Sequence, residues 1–342
     1  PRRRAPSLSA SEQYMRLALR VSRMARRRSP PNPWVGCVVV SEDGDVVGQG
    51  ATEAPGGRHA EAVALDEAGT EARGATAYVT LEPCSHHGRT PPCAEALVRA
   101  GIRRVVAALE DPDPNVASRG MGALRSAGIE VELGVLAEEA EAFLRPYLVH
   151  RRTGRPFVVL KLASTLDGRI AAPDGTSRWI TGPEARADAH ELRADSDAIL
   201  VGAATVRADD PELTVRSPEG EPADRQPLRV VLGRAPTGAR AQPALEMSGD
   251  VRAVLDELGR RGVLQLLVEG GADVAASFHR LGLVDRYVVY VAAALLGGDD
   301  GKAMFTGPGA STMAAAWRGR LVSVNRLGDD VRFEIEPSPG DR

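Results

Sequence analysis

The stretch TLEPCSHHGRTPPC, residues 80–93, holds two cysteines, two histidines and one acid. Upstream lies HAEAVAL, residues 59–65. Both motifs fall where one regular element gives way to another. HAEAVALDEAG reads as a helix stopped by Gly69, ATAYVTL as a strand, and PPCAEALVRAG as a helix opened by proline and stopped by Gly101. Working outward, SEQYMRLALRVSRMARRR is a helix with Ser9 or Ser11 as N-cap, ended by Pro30 and Pro31. WVGCVVV and GDVVGQGA form a strand pair around the turn SEDGD. RRVVAAL, GMGALRSAG and IEVELG continue as strand, helix and strand. This alternation predicts a layered α/β domain with a largely parallel sheet.

Zinc takes histidine nitrogen and cysteine thiolate in tetrahedral sites. His59, Cys84 and Cys93 supply three ligands. Two arrangements are open. In a closed structural site His86 or His87 is the fourth ligand; in a catalytic site water holds that position. Glu61 favours the second. Deep inside a helix, positions two apart point to opposite sides, but in the first turn both border the space beyond the helix end. A carboxylate there can move the proton of the water. Cys93 opens a helix, where the field favours thiolate. The order H-x-E, then P-C and a second cysteine, is the pattern of zinc deaminases, here with a longer spacing between the cysteines. With only one ligand set, one zinc per chain is expected.

The bulk numbers bound the function. At 342 residues the chain has room for two domains. It is 43% apolar and 26% charged, a soluble globular composition. No apolar run approaches the ~20 residues that span a bilayer, so no membrane partner is expected. The start, PRRRAPSLSA, lacks an apolar h-region, which predicts no secretory signal and a cytoplasmic location. A net charge of −3 argues against a dedicated nucleic-acid binder, and the basic run RMARRRSP reads as the solvated face of a first helix. Of the three cysteines, Cys37 in VGCVVV reads as a small core residue. The remaining pair suits metal or redox chemistry better than a disulfide framework.

After EAFLRPYLVHRRTGRP the rhythm restarts with the strand FVVLKLAS, which puts a boundary near residues 150–156 and predicts domains 1–150 and 151–342. Helices are expected at PEARADAHELRA, DVRAVLDELGRRG and DVAASFHRLG, and strands at DAILVG, PLRVVLG, LQLLVEGG, DRYVVYVAA, GRLVSVNRLG and DVRFEIEP. GRAPTGARAQPALEMSGD shows no clear apolar strand. There is no G-x-G-x-x-G. Instead VEGGADVAASF ends a strand at Glu269 and opens a helix just after Gly270 and Gly271, where phosphate can approach backbone N–H groups. Lys161 lies within an apolar strand, and burying an unpaired ammonium is costly. It reads as a substrate-facing group beside Asp209, or else as half of a buried ion pair.

With these residues in hand, the chain resembles the bifunctional deaminase/reductase family of riboflavin biosynthesis. NPWVGCVVV, HAEAVAL, AYVTLEPCSHHGRTPPCAEAL, DPDPNVASRG, KLASTLDGRIA, SRWITGPEAR, ADDPELTVR and LLVEGGA resemble its blocks in its order, over nearly the whole chain. The long cysteine spacing is typical of that family. The resemblance implies a cytidine-deaminase-like domain followed by a dihydrofolate-reductase-like domain. It implies a phosphoribosyl-aminopyrimidine substrate, deaminated with zinc and then reduced from ribosyl to ribityl with NADPH. It carries Glu61 over as the proton shuttle, Asn32 as a pyrimidine contact, and His86 and His87 as residues of the pocket. It places Ala163, Trp179, Thr205, Asp209, Arg234, Gly271, Ala272, Asp273, Val274, Ala275, Ala276 and Ser277 at the cofactor. Ser177, Arg193, Leu213, Arg216 and Glu269 go to the substrate, with Arg193 and Arg216 suited to the 5′-phosphate because a guanidinium grips phosphate oxygens in pairs. Lys161 and Asp209 are the catalytic candidates of the reductase. The chain departs from many relatives at Val63, Gly233, Ala293 and Ala294, which bears on cofactor geometry more than on reaction class.

Competing readings are a monofunctional pyrimidine deaminase with a degenerate reductase-like domain, an RNA base deaminase, and a zinc-stabilised interaction module without activity. The acidic balance and the 4% aromatic content argue against RNA, which needs aromatic faces to stack flipped bases. Homo-oligomerisation is left open by the sequence.

Overall fold

The computed structural model describes residues 8–85, 91–113, 117–217 and 220–338. It forms two compact units, Pro1–Gly154 and Arg155–Arg342.

The first unit runs α1 (Ala10–Ser22), β1 (Gly36–Val40), β2 (Val46–Ala51), α2 (Ala60–Ala68), β3 (Thr76–Val79), α3 (Cys93–Ala100), β4 (Arg104–Ala107), α4 (Arg119–Ser126), β5 (Glu130–Leu133) and α5 (Ala137–Thr153). Ser9 starts α1 through a capping box: its hydroxyl accepts from Glu12 N–H (3.2 Å) and its own N–H donates to the Glu12 carboxylate (2.7 Å). The five strands lie in the order β2-β1-β3-β4-β5. β1 is antiparallel to both β2 and β3, and only β3, β4 and β5 run parallel. The sheet is therefore mixed rather than largely parallel, because the short SEDGD turn returns β2 directly beside β1 and a tight hairpin is antiparallel by construction. Cys37 is fully buried in β1, as its apolar neighbours imply.

Helix α5 occupies a segment for which the sequence reading names no element. Pro146 within it weakens the helical signal. The buried residues Leu144, Tyr147 and Leu148, three and four apart, nevertheless hold it on the unit.

Two glycines of β2 set how closely α2 can lie. A Cβ on Gly48 would stand 2.1 Å from the Ala64 carbonyl oxygen, and one on Gly50 would stand 2.1 Å from that of Ala60. Backbone meets backbone here, and α2 is pinned against the sheet beginning with its first residue.

The second unit runs β6 (Phe157–Thr165), β7 (Arg169–Ala171), α6 (Pro183–Ala194), β8 (Ala198–Gly202), α7 (Ala203–Asp209), β9 (Leu228–Leu232), β10 (Leu245–Met247), α8 (Val251–Arg260), β11 (Gln265–Val268), α9 (Ala272–Arg280), β12 (Arg286–Ala292), β13 (Lys302–Ala303), β14 (Gly319–Leu327) and β15 (Asp330–Pro337). The main sheet has the order β10-β9-β8-β11-β6-β12-β15-β14, parallel from β10 to β12 and antiparallel over β15 and β14. β10 is a strand in the segment where none was expected. Its three residues are too few to show a period of two, and they pair at the edge beside β9. β7 and β13 form a separate two-stranded ribbon. The core joins β6, β8 and β11 to α8 and α9 through Leu160, Leu200, Leu266, Leu255 and Phe278. Among the described residues no helix is long and apolar enough to cross a membrane.

Gly50→Ala is expected to destabilise the first unit by about 1–3 kcal/mol, the usual result of forcing an atom into a filled contact. It should also lower deaminase turnover, because α2 must move. Denaturant midpoints and ammonia release check both; an unchanged midpoint would mean that α2 is not pinned here.

Candidate active sites

In the first unit the helix starts gather the candidate metal ligands. His59 is the residue that caps α2, Glu61 stands in that helix's first turn, Cys84 follows β3, and Cys93 is the first residue of α3. The Cys84 carbonyl accepts from Ala94 N–H at 3.1 Å, and its sulfur accepts from Cys93 N–H at 3.4 Å, tying the loop to the start of α3. His59 Nδ1 lies 3.5 Å from Cys84 Sγ and 3.3 Å from Cys93 Sγ. A tetrahedral zinc with its usual bonds to nitrogen and sulfur separates such atoms by about 3.6 Å. The donor set is thus the right chemistry at nearly the right spacing. His86 and His87 lie outside the described residues.

The electrostatics suit a metal and a proton carrier. Hydrogen bonds from the Cys93 thiol and from His59 hold Cys84 down to about 4, while Cys93 is pushed up by its bond to Cys84 and by burial. Glu61 is buried, and desolvation, helped by the negative Cys84, lifts its carboxyl to about 7. The cavity in front of these groups measures about 400 Å³ and is lined by Asn32, His59, Glu61 and Cys84.

The same cavity shows residues that the sequence reading did not single out. Asp111 and Tyr147 line it, and Tyr147 Oη donates to the Asp111 carboxylate at 3.0 and 3.2 Å. Arg151 lines it too, 3.8 Å from Asp113. Tyr147 and Arg151 share one face of α5, a helical spacing visible in the sequence once α5 is recognised as a helix. Glu82, two residues before Cys84, is buried and accepts from the N–H groups of Asp111, Ser118, Gly120 and Met121 at 3.0–3.3 Å. It anchors the start of α4 to the metal loop, as a carboxylate at a helix N-terminus does.

In the second unit the site lies at the carboxyl ends of the parallel strands, where open α/β sheets bind ligands. A groove of about 600 Å³ is lined by Lys161 and Ala163 of β6, Thr205 and Asp209 of α7, and Glu269, Gly271, Asp273 and Val274 at the start of α9. A second cavity, of about 400 Å³, adds Trp179, Arg193 and Leu213. Lys161, Ala163, Ser177, Thr205, Asp209 and Glu269 line both, so the two spaces meet at these side chains. Gly270 leaves no room for a Cβ, which would stand 2.5 Å from Val274 Cβ. The Thr205 hydroxyl accepts from Gly271 N–H at 3.0 Å.

Burial lowers the Lys161 ammonium, with Glu269 opposing and Arg193 adding to the fall. The Glu269 side chain is nearly buried, 9% exposed, yet Arg193 and then Lys161 overcome its desolvation and hold it at about 2.

Several expected contacts stand elsewhere. Arg193 gives Nε and Nη2 to the Glu269 carboxylate at 2.6 and 2.9 Å and Nη1 to the Thr214 carbonyl at 3.1 Å, so each of its nitrogens is engaged within the protein. Arg216 is paired with Glu212, and neither it nor the exposed Arg234 lines either cavity. Ala275 and Ala276 are buried, Ala275 N–H is bonded to the Gly271 carbonyl, and Ser277 bonds back to the Asp273 carbonyl. Only the first turn of α9 offers open N–H groups, because deeper ones are consumed by the helix. The Ala294 carbonyl accepts from Leu166 N–H at 2.8 Å, a contact indifferent to its side chain.

Two family models match separate parts of the chain. The family model described as the cytidine and deoxycytidylate deaminase zinc-binding region matches residues 8–109, and that of the RibD C-terminal domain matches residues 156–333. The riboflavin biosynthesis protein RibD of Escherichia coli (strain K12) is 42% identical over 363 residues, covering 95% of this chain and 98% of that protein. RibD of Mycobacterium tuberculosis (strain ATCC 25618 / H37Rv) is 44% identical over 337 residues, covering 95% and 96%. The solved structure of Acinetobacter baumannii RibD, form 1, matches with a TM-score of 0.91 at 39% identity, over 96% of this chain and 99% of that one. A diaminohydroxyphosphoribosylaminopyrimidine deaminase/5-amino-6-(5-phosphoribosylamino)uracil reductase from Thermotoga maritima matches with a TM-score of 0.88 at 34% identity, over 96% and 99%.

Metal analysis should find one zinc per chain in the purified protein and most of it lost from Cys84→Ser. Full occupancy in that variant would remove Cys84 from the ligand set.

Proposed function

This chain belongs to the RibD family of riboflavin biosynthesis proteins, and from that premise we propose how its residues divide the family's two reactions. The protein is a bifunctional enzyme, a zinc-dependent deaminase in its first part and an NADPH-dependent reductase in its second. The substrate we assign is 2,5-diamino-6-(5-phosphoribosylamino)pyrimidin-4-one, deaminated first and then reduced along its sugar. The observation that carries the residue assignment is the meeting of His59, Cys84 and Cys93, within 4.8 Å of one another, beside the buried Glu61.

Zinc, when bound by His59, Cys84 and Cys93, supplies the Lewis acidity that makes water a nucleophile at neutral pH. Glu61 takes the proton of the attacking water and returns protons to the ring nitrogen and to the departing ammonia. A carboxyl near neutrality suits both halves of that task. Asn32 orients the pyrimidine from the cavity wall. Tyr147 holds Asp111 toward the same cavity.

In the second unit NADPH, when bound, supplies the hydride. The first turn of α9, from Ala272 to Val274, receives phosphate on its N–H groups, while Gly271 N–H stays on the Thr205 hydroxyl. Lys161 and Asp209 stand where the two cavities meet, as transfer from cofactor to sugar requires. Hydride goes to carbon 1 of the ribose, the bond to the ring oxygen breaks, and that oxygen takes a proton. Lys161 is the donor we assign, since burial makes its ammonium release a proton more readily. The Arg193–Glu269 pair gives the substrate cavity a fixed anion; in this reading Arg193 positions Glu269. Arg234, at the carboxyl end of β9, meets the 2′-phosphate of the cofactor.

The sites should be separable. Glu61→Gln keeps its zinc but should lose at least the ~10²-fold typical of a general acid–base group, while it reduces already deaminated substrate normally. Lys161→Ala should release ammonia normally and stop NADPH oxidation, so that the aminouracil accumulates. The division is falsified if Glu61→Gln deaminates at the normal rate, or if it loses both activities while folded and zinc-loaded. A second check concerns the cofactor. Arg234→Ala should raise KM for NADPH and leave that for NADH nearly unchanged; an equal rise for both would take the 2′-phosphate away from Arg234.

A further inference from the structure

The reductase groove has two walls of different charge. One is the start of α9, with its open N–H groups. The acids Asp209, Glu269, Asp273 and Asp300 also line the groove, against the cations Lys161 and Lys302. Lys161 is half-buried and faces Glu269 and the Tyr290 ring, 5.8 Å from the ring centre. Lys302 is exposed, and among the described residues its ammonium has no ion-pair partner. A dinucleotide brings a pyrophosphate into this groove, and a net acidic lining repels it. The exposed cation on the rim decides whether that charge is met.

The position of Lys302 is built rather than incidental. Lys302 pairs with Ala171 in the β7–β13 ribbon. Arg169 of β7 reaches under the preceding loop and donates to the carbonyls of Gly298 (3.0 Å) and Gly301 (3.3 Å). Asp167 accepts from Leu296 N–H (3.1 Å) and Gly297 N–H (2.9 Å) and is itself held by the Thr165 hydroxyl at 2.5 Å. On the other side Thr306 donates to the Asp273 carboxylate at 2.6 Å, and its carbonyl accepts from Arg280 at 2.7 Å. That bond engages the acid of the α9 first turn and ties the segment after β13 to the helix that receives phosphate. The segment is thus clasped both before and after Lys302.

We propose that Lys302 is a cofactor-binding residue: its ammonium, carried on the β7–β13 ribbon, meets the pyrophosphate of the nicotinamide cofactor at the start of α9. This rests on the assignment of the groove to NADPH. The pyrophosphate is common to NADPH and NADH, so the contribution of Lys302 is blind to the 2′-phosphate.

The test is cofactor binding without turnover, followed by the fluorescence of the reduced nicotinamide for wild type, Lys302→Ala and Lys302→Arg. Lys302→Ala should weaken NADPH and NADH by a similar factor, roughly two- to fivefold for an exposed ion pair. Its Kd should rise less steeply with salt than that of wild type, since a screened contact is gone. Lys302→Arg should stay within about twofold, as a retained charge requires. Unchanged affinity in Lys302→Ala, an unchanged salt slope, or a loss confined to NADPH would overturn the role of Lys302. If wild type binds neither cofactor, the assignment of the groove fails first, and the role of Lys302 with it.

Discussion

The contact on which the deaminase half depends is backbone against backbone, between β2 and α2. Glycine at positions 48 and 50 lets the carbonyls of Ala64 and Ala60 approach where a side chain would collide. That contact fixes the first turn of α2, and the first turn carries His59 and Glu61. A metal site tolerates little error in ligand position. The second helix, α3, is brought to the same point by the loop from β3, which Glu82 anchors through four backbone N–H groups. The placement of His59, Cys84 and Cys93 therefore rests on small residues and a buried carboxylate outside the donor set.

Much of this was legible in the sequence, and the reason differs by residue. His59, Glu61, Cys84 and Cys93 were readable because metal chemistry restricts ligand type, and because helix-start signals put each at an element boundary. The long helices and strands were readable from period and punctuation. Tyr147 and Arg151 were hidden because Pro146 interrupts the helical pattern of α5. Asp111 and Glu82 were hidden for another reason: their partners come from the loop beyond β4, from α5 and from the start of α4, and a local pattern contains no such information. β7, β10 and β13 are too short for any periodic signal.

The reductase half shows the limit of carrying residues over by position. A run of seven residues from Gly271 to Ser277 matches a cofactor segment, yet a helix exposes N–H groups only in its first turn. Ala275 and Ala276 face the core, and their part is to seat the helix. Arg193 similarly matches a substrate position, but a bidentate bond to Glu269 uses the fork that would have gripped phosphate. Breaking that pair to bind a ligand would leave a buried carboxylate uncompensated, which is strongly unfavourable. Its chemistry suits orientation of Glu269 better than capture of an anion.

Two buried glutamates show how one side-chain type does opposite work in the two halves. Desolvation raises both, and neighbours then decide. Beside Glu61 stands the thiolate of Cys84, a like charge, and the carboxyl rises to about 7. Beside Glu269 stand Arg193 and Lys161, and the carboxyl falls to about 2. A group near neutrality can take a proton from water and give it back within one turnover, as hydrolytic deamination demands. A carboxyl held that low is an anion near neutral pH, which suits Glu269 to positioning and stabilising charge. In the proposed division the proton of the reduction comes from Lys161, half-buried beside Glu269 and lowered by its burial, where the two cavities meet.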